Sequence, residues 1–315
     1  MADHHEYGQV LPATSGPARR RAGSRPSVGR TAPGSPLPPK KGGPWRIVFG
    51  VAFIVLVLSL IGLGVMGFSY WQGQNTYKEI AQEAFPEPKD PAALQLADMT
   101  LDWDALRKVN PDVVGWIYVP GTVANYPIVH TTNNEKYLTT DFRGDPGFLA
   151  QFGSIFLSAE NTPSFLDANN IVYGHHMNDG SMFAFISGLF DNKAFNEHRT
   201  IYILTPDGNY KLSTFSLIAC KDDDPLAQPN FATPADLQAY VQDKIDRSVV
   251  TPAEPIDPAA VTRVFSLITC DNVTDAGREV LFASVVESTK TETPTTTAVN
   301  PNDVGVVGQA AKEIA

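Results

Sequence analysis

Two thiols and six histidines bound the chemistry open to this 315-residue chain. A cysteine becomes a useful nucleophile only where its thiolate is populated or a nearby base takes its proton. Cys270 ends the apolar run Val264-Phe265-Ser266-Leu267-Ile268-Thr269, and Arg278 follows eight residues later at the head of another β-prone run. A tight connection would return that guanidinium beside the sulfur, where it could donate to a developing oxyanion. Cys220 closes a similar run, Phe215 to Ala219, but is followed by Lys221 and then Asp222, Asp223 and Asp224. Three carboxylates would raise a thiol pKa, so Cys220 reads as a buried, inert strand residue. A Cys220–Cys270 disulfide is the alternative, and it would block the nucleophile.

The histidines sort by context. His4 and His5 fall in the N-terminal tail, and His130 and His198 stand singly at strand edges, where a structural role is expected. His175 and His176 follow the strand-like Asn170–Tyr173 run and open a loop with Asn178, Asp179 and Gly180, a setting that can present an imidazole at a barrel rim. A metal site does not suit the pair. Adjacent side chains on an extended segment point to opposite faces, and no further ligands stand nearby in sequence. Neither metal nor cofactor is expected.

These residues need strands to position them. Val113–Val119, Tyr126–Val129, Ser154–Leu157, Asn170–Tyr173, Thr200–Leu204, Tyr210–Ala219, Val261–Thr269 and Glu279–Val286 are β-branched or aromatic runs bounded by Gly, Pro, Asn or Asp. Eight such runs predict a mainly β fold, an eight-stranded β-barrel. Short helices are predicted over Thr76–Phe85 and from Asp102 to the Asn110-Pro111 stop. A longer one is predicted over Pro234–Arg247, with Thr233 as N-cap and Leu237, Tyr240, Val241 and Ile245 on one face.

Ile47 to Trp71 holds no charged side chain and is long enough for a hydrocarbon core of roughly 30 Å. Eight of the 24 Lys/Arg and two of the 34 Asp/Glu precede Ile47, leaving 16 bases against 32 acids beyond that point. This acidity argues against a nucleic-acid partner. The expected organisation is a basic, disordered cytoplasmic tail over 1–46, a transmembrane helix over 47–71 and an extracellular linker with a helix over 72–100. A catalytic domain over 101–288 and a Thr/Pro-rich tail over 289–315 complete it. Retention of positive charge predicts a single-pass membrane protein with its N-terminus inside, residues 72–315 outside and the bilayer as a partner.

The constellation Tyr173-Gly174-His175, Thr269-Cys270 and Arg278 resembles that of sortases. The blocks Asn110–Ile117, Tyr126–Val129, Gly153–Leu157 and Ser181–Phe183, with the inserted helix, resemble class B members from about Leu101 to Val286. The resemblance implies a sortase barrel and a cysteine transpeptidase. Cys270 would attack the carbonyl after the Thr of a sorting-signal peptide, His175 would serve as acid and base, and Arg278 would steady the oxyanion. Thr269 would lie beside the substrate. The acceptor would be an amine of a peptidoglycan precursor or a pilin-like lysine of another protein. The His-before-Cys order opposes a papain-like protease. A pilin-polymerising sortase, an L,D-transpeptidase and a non-catalytic anchored scaffold are the competing readings. Ser158 stands where many relatives carry Asp, and Leu11 to Gly16 looks like a sorting signal within the tail.

Overall fold

A computed structural model describes residues 43–90, 95–146, 152–225, 228–270 and 277–290. The expectations for the tail before residue 43, including the string at 11–16, and for residues beyond 290 lie outside the described residues. The chain falls into two compact units, 1–54 and 55–315.

Helix α1, Trp45–Ala84, is a single 40-residue helix, where the sequence suggested a span and a separate short helix. It is long and apolar enough to cross a membrane, and its side chains over the apolar stretch are exposed. Beyond Trp71 the sequence loses its apolar character, yet the helix continues because Tyr77 and Ile80 are buried. Pro86 lies just past its end.

The eight strands are β1 Val113–Tyr118, β2 Asn125–His130, β3 Ile155–Leu157, β4 Asn169–Tyr173, β5 Thr200–Leu204, β6 Tyr210–Lys221, β7 Val264–Cys270 and β8 Gly277–Ser288. They close into a barrel in the order β1-β2-β3-β4-β7-β8-β6-β5, with β5 pairing back to β1. Closure leaves no free edge. The pairs β2·β3 and β4·β7 are parallel and the others antiparallel. All of β4 and nearly all of β7 is buried, which matches their unbroken runs of apolar and small polar residues.

Short helices α2 Trp103–Val109, α3 Lys136–Thr139 and α4 Asn192–Glu197, and a 3₁₀ helix Phe183–Phe190, fill the connections. Helix α5, Pro234–Asp246, enters between β6 and β7 with Thr233 and Asp236 forming a reciprocal capping box. It packs on the outer face of the sheet, where Tyr240 meets Phe282 edge to face. Asn169, fully buried, ties the layers together: its amide donates to Gln228 O and Tyr240 Oη and accepts from Ser266 Oγ. A buried amide with these partners is fixed in one orientation.

Candidate active site

Strand register brings the chemistry-bearing residues into one rank. Cys270 on β7 pairs with Arg278 on β8, and Arg278 pairs in turn with Cys220 on β6. On the other side of β7, the parallel register runs to Tyr173↔Ile268, and Gly174 N donates to Ile268 O. His175 follows two residues past the end of β4. Three strands, β7-β8-β6, thus place Cys270, Arg278 and Cys220 side by side. In-register residues share a face, and directly opposed Cβ atoms on antiparallel strands lie ~4.5–5.5 Å apart. The same face carries Ser216 and Phe282, which α5 covers further along.

Arg278 lies between the two cysteines. Two strand spacings, roughly 9.5 Å, separate Cys220 from Cys270, beyond the ~7 Å that a disulfide can bridge. No disulfide joins Cys220 and Cys270. The Cys220 thiol is pushed up to about 12, first by burial and then by Asp224. The sequence pointed to the carboxylates, but burial is the larger cause. Asp224 is itself clamped by Arg247 at the end of α5, with Nη1 donating to Oδ1 at 3.1 Å and Nη2 donating to Oδ2. Arg278 is 2% exposed, and its Nη1 donates to Gly277 O at 2.8 Å.

His175 rests in a pocket built by the β2–β3 crossover. Its Nε2 lies 2.5 Å from Leu138 O. A carbonyl only accepts, so Nε2 carries the proton and the neutral ring keeps its lone pair on Nδ1. Burial lowers the His175 pKa, and the Leu138 bond opposes that shift only partly. Gly153 makes the pocket possible. Its φ is +57°, and a Cβ there would stand 2.6 Å from Tyr137 O, 2.7 Å from Leu138 O and 3.0 Å from His175 Cδ2.

Helix α1 supports the same pocket, through a residue that the sequence reading did not single out. The buried Tyr77 hydroxyl donates to Gly153 O, lies 3.3 Å from Ser154 Oγ and accepts from Phe142 N at 3.2 Å. One turn earlier, Gln74 Nε2 donates to Asp179 Oδ2 at 2.9 Å, linking the helix to the loop that follows the two histidines. Tyr77 lies at the third position after Gln74 on one helical face, a spacing visible in the sequence. A cavity of about 430 Å³ opens between α1 and this loop, but none of His175, Cys220, Cys270 and Arg278 lines it.

His176 meets the end of β7: its Nδ1 is 3.1 Å from Cys270 O and 3.1 Å from Ser187 Oγ. Thr269 is 1% exposed, lies on the face opposite Cys270, and its hydroxyl finds no hydrogen-bond partner among the described residues. His130 and His198 stand away from this rank, at the end of β2 and just before β5.

His175 and His130 carry a pH signature. Burial lowers both pKa values from 6.5, so below that pH the unfolded chain binds more protons than the folded one. Their contribution to stability is full above about 6.5 and is lost as pH falls from there through the folded-state values. The melting temperature is expected to decline as pH is lowered from 7.5 to 5.5, and His175→Gln with His130→Gln should flatten that slope. An equally steep decline in the double variant would remove the histidines as its cause.

No family model matches the chain. Comparison with curated proteins finds sortase B of Listeria monocytogenes, 30% identical over 245 residues that span 75% of this chain and 98% of the relative. Sortase B of Staphylococcus aureus is 28% identical over 225 residues, 70% of this chain and 89% of that protein. Among solved structures, a Staphylococcus aureus sortase B–substrate complex superposes with a TM-score of 0.59 at 26% identity, covering 70% of this chain and 99% of that one.

Proposed function

Because this chain belongs to the sortase B family, we propose that it is a membrane-anchored cysteine transpeptidase that cleaves a sorting-signal peptide after Thr and transfers it to an amine. The observation that carries the reading is the register that pairs Cys270 with Arg278 across β7 and β8, with His175 two residues past the end of β4, the strand on the other side of β7. Neutral His175, with its proton held on Nε2 by Leu138 O, has Nδ1 available to take the Cys270 proton. The Cys270 sulfur then bonds the carbonyl carbon after Thr, and the oxyanion is steadied by Arg278. As the C–N bond breaks, Nδ1–H of the imidazolium protonates the departing amine and leaves a thioacyl enzyme. An amine of a peptidoglycan precursor or of a pilin-like lysine attacks that thioester, gives its proton to His175 and releases the sulfur. Thr269, buried behind Cys270, would meet the substrate through its backbone.

Anchoring follows from α1. Residues 47–71 would cross the bilayer, and the basic residues ahead of them would hold the N-terminus inside. The barrel would then work on the outer face of the cell membrane.

The reading is tested by incubating the full chain, in detergent micelles, with peptides of the Leu-Pro-x-Thr and Asn-Pro-x-Thr types and locating the acyl adduct by mass. The adduct is expected on Cys270, with none on Cys220. Acylation of Cys220, or turnover by Cys270→Ala, would overturn it.

A further inference from the structure

The second histidine takes no part in the mechanism above, yet it hydrogen-bonds the Cys270 main chain directly. A carbonyl oxygen has no proton to give, so His176 Nδ1 donates to Cys270 O. The Ser187 hydroxyl has one proton and directs it to Glu279 Oε2 at 2.5 Å, so toward His176 it offers a lone pair. Every donor in the chain is therefore fixed: His176 Nδ1–H serves both Cys270 O and Ser187 Oγ, and Ser187 O–H serves Glu279. The acceptor at the end is a carboxylate only 5% exposed, on β8, directly after Arg278 and in register with Thr269. Charge-assisted and buried, that last bond is the stiff one.

The bonds connect four parts of the fold: the end of β7 at Cys270, the loop after β4 at His176, the 3₁₀ helix Phe183–Phe190 at Ser187, and β8 at Glu279. Cys270 pairs with Arg278 in the ladder, and the His176 bond adds a tie to its carbonyl from outside the sheet. We infer that His176, Ser187 and Glu279 are positioning residues that fix the Cys270 main chain, and through it the direction of the sulfur, relative to Arg278. The inference rests on the reading of Cys270 as nucleophile.

A nearly isosteric pair of substitutions separates this role from simple packing. Asn places an N–H donor the same number of bonds from Cα as Nδ1, whereas Asp places an acceptor there, facing Cys270 O and Ser187 Oγ. With the full chain in detergent micelles and the peptide that forms the adduct, His176→Asp is expected to lower kcat on the order of 10²-fold, the cost of a misplaced reacting atom. KM should stay within about threefold, and His176→Asn should recover kcat to within about threefold of the unsubstituted chain. Adding Ser187→Ala to His176→Asp should cost little more, since both act through one chain. Should His176→Asp melt below the assay temperature, Ser187→Ala carries the test: kcat down about tenfold, restored by Ser187→Thr. Equal losses in the Asn and Asp variants, unchanged kcat in both, or an additive double variant would overturn the relay while leaving the adduct on Cys270. Turnover by Cys270→Ala would overturn the relay and the nucleophile together.

Discussion

Arg278→Lys lowers kcat and kcat/KM together, by about 10²–10³-fold, with acylation of Cys270 the slowed step. The side chain is buried between two thiols, one strand spacing from each, with its Nη1 tied to Gly277 O. A planar guanidinium can hold that tie and still direct another N–H along the rank. An ammonium is a point charge on a flexible stem and cannot replace the fork. The substitution also has a signature at Cys220, because Arg278 is one of the cations that partly offset the rise in that thiol's pKa. The variant should therefore leave Cys220 no more open to iodoacetamide than before. Single-turnover acylation with mass mapping of both cysteines measures the two effects in one experiment. A Lys variant that keeps kcat within threefold would remove the oxyanion role.

Gly153→Ala should damage stability and rate together. A residue with a Cβ pays ~1–2 kcal/mol to occupy the left-handed region that Gly153 adopts. The larger cost is contact, since the new methyl would press on two carbonyl oxygens at 2.6 and 2.7 Å. Neither can easily retreat: Tyr137 O accepts from Ser154 N, and Leu138 O holds His175. Together these predict a loss of about 2–4 kcal/mol, a fall in melting temperature of roughly 5–15 °C for a domain of this size. His175 would be displaced, and kcat should fall on the order of 10²-fold in the variant that remains folded. Gly144 supplies the control. Its φ is +88°, but a Cβ there meets nothing within 4 Å, so Gly144→Ala should show the backbone strain alone. If the two variants melt together and turn over alike, the pocket around Gly153 does not hold the imidazole.

Much of the frame was legible because it rests on local signals. The eight strands follow from β-branched runs between turn residues, and the Thr233-Pro234-x-Asp236 start of α5 follows from capping chemistry. The proximity of Cys270 and Arg278 was legible because a tight connection between consecutive strands makes neighbours. Strand direction was not, since a period of two is the same in parallel and antiparallel pairs, and β4 lies beside β7 only by a long crossover. The continuation of α1 through Gln72–Asn75 was missed for a tertiary reason. Those residues have no amphipathic pattern of their own, and the burial of Tyr77 and Ile80 carries the helix on. The division between His175 and His176 was half legible: alternation sets the rings on opposite faces, but Leu138 O, Cys270 O and Ser187 come from elsewhere in the chain.

The parallel seam between β4 and β7 has a consequence for the newly made chain. His175 and Cys270 are 95 positions apart in sequence, and β4 and β7 pair across the intervening β5, β6 and α5. Loop-closure entropy makes such distant pairings late events in assembly. Under the proposed function, a half-assembled polypeptide would hold the thiol and the imidazole apart, and reactivity would arrive only with that seam.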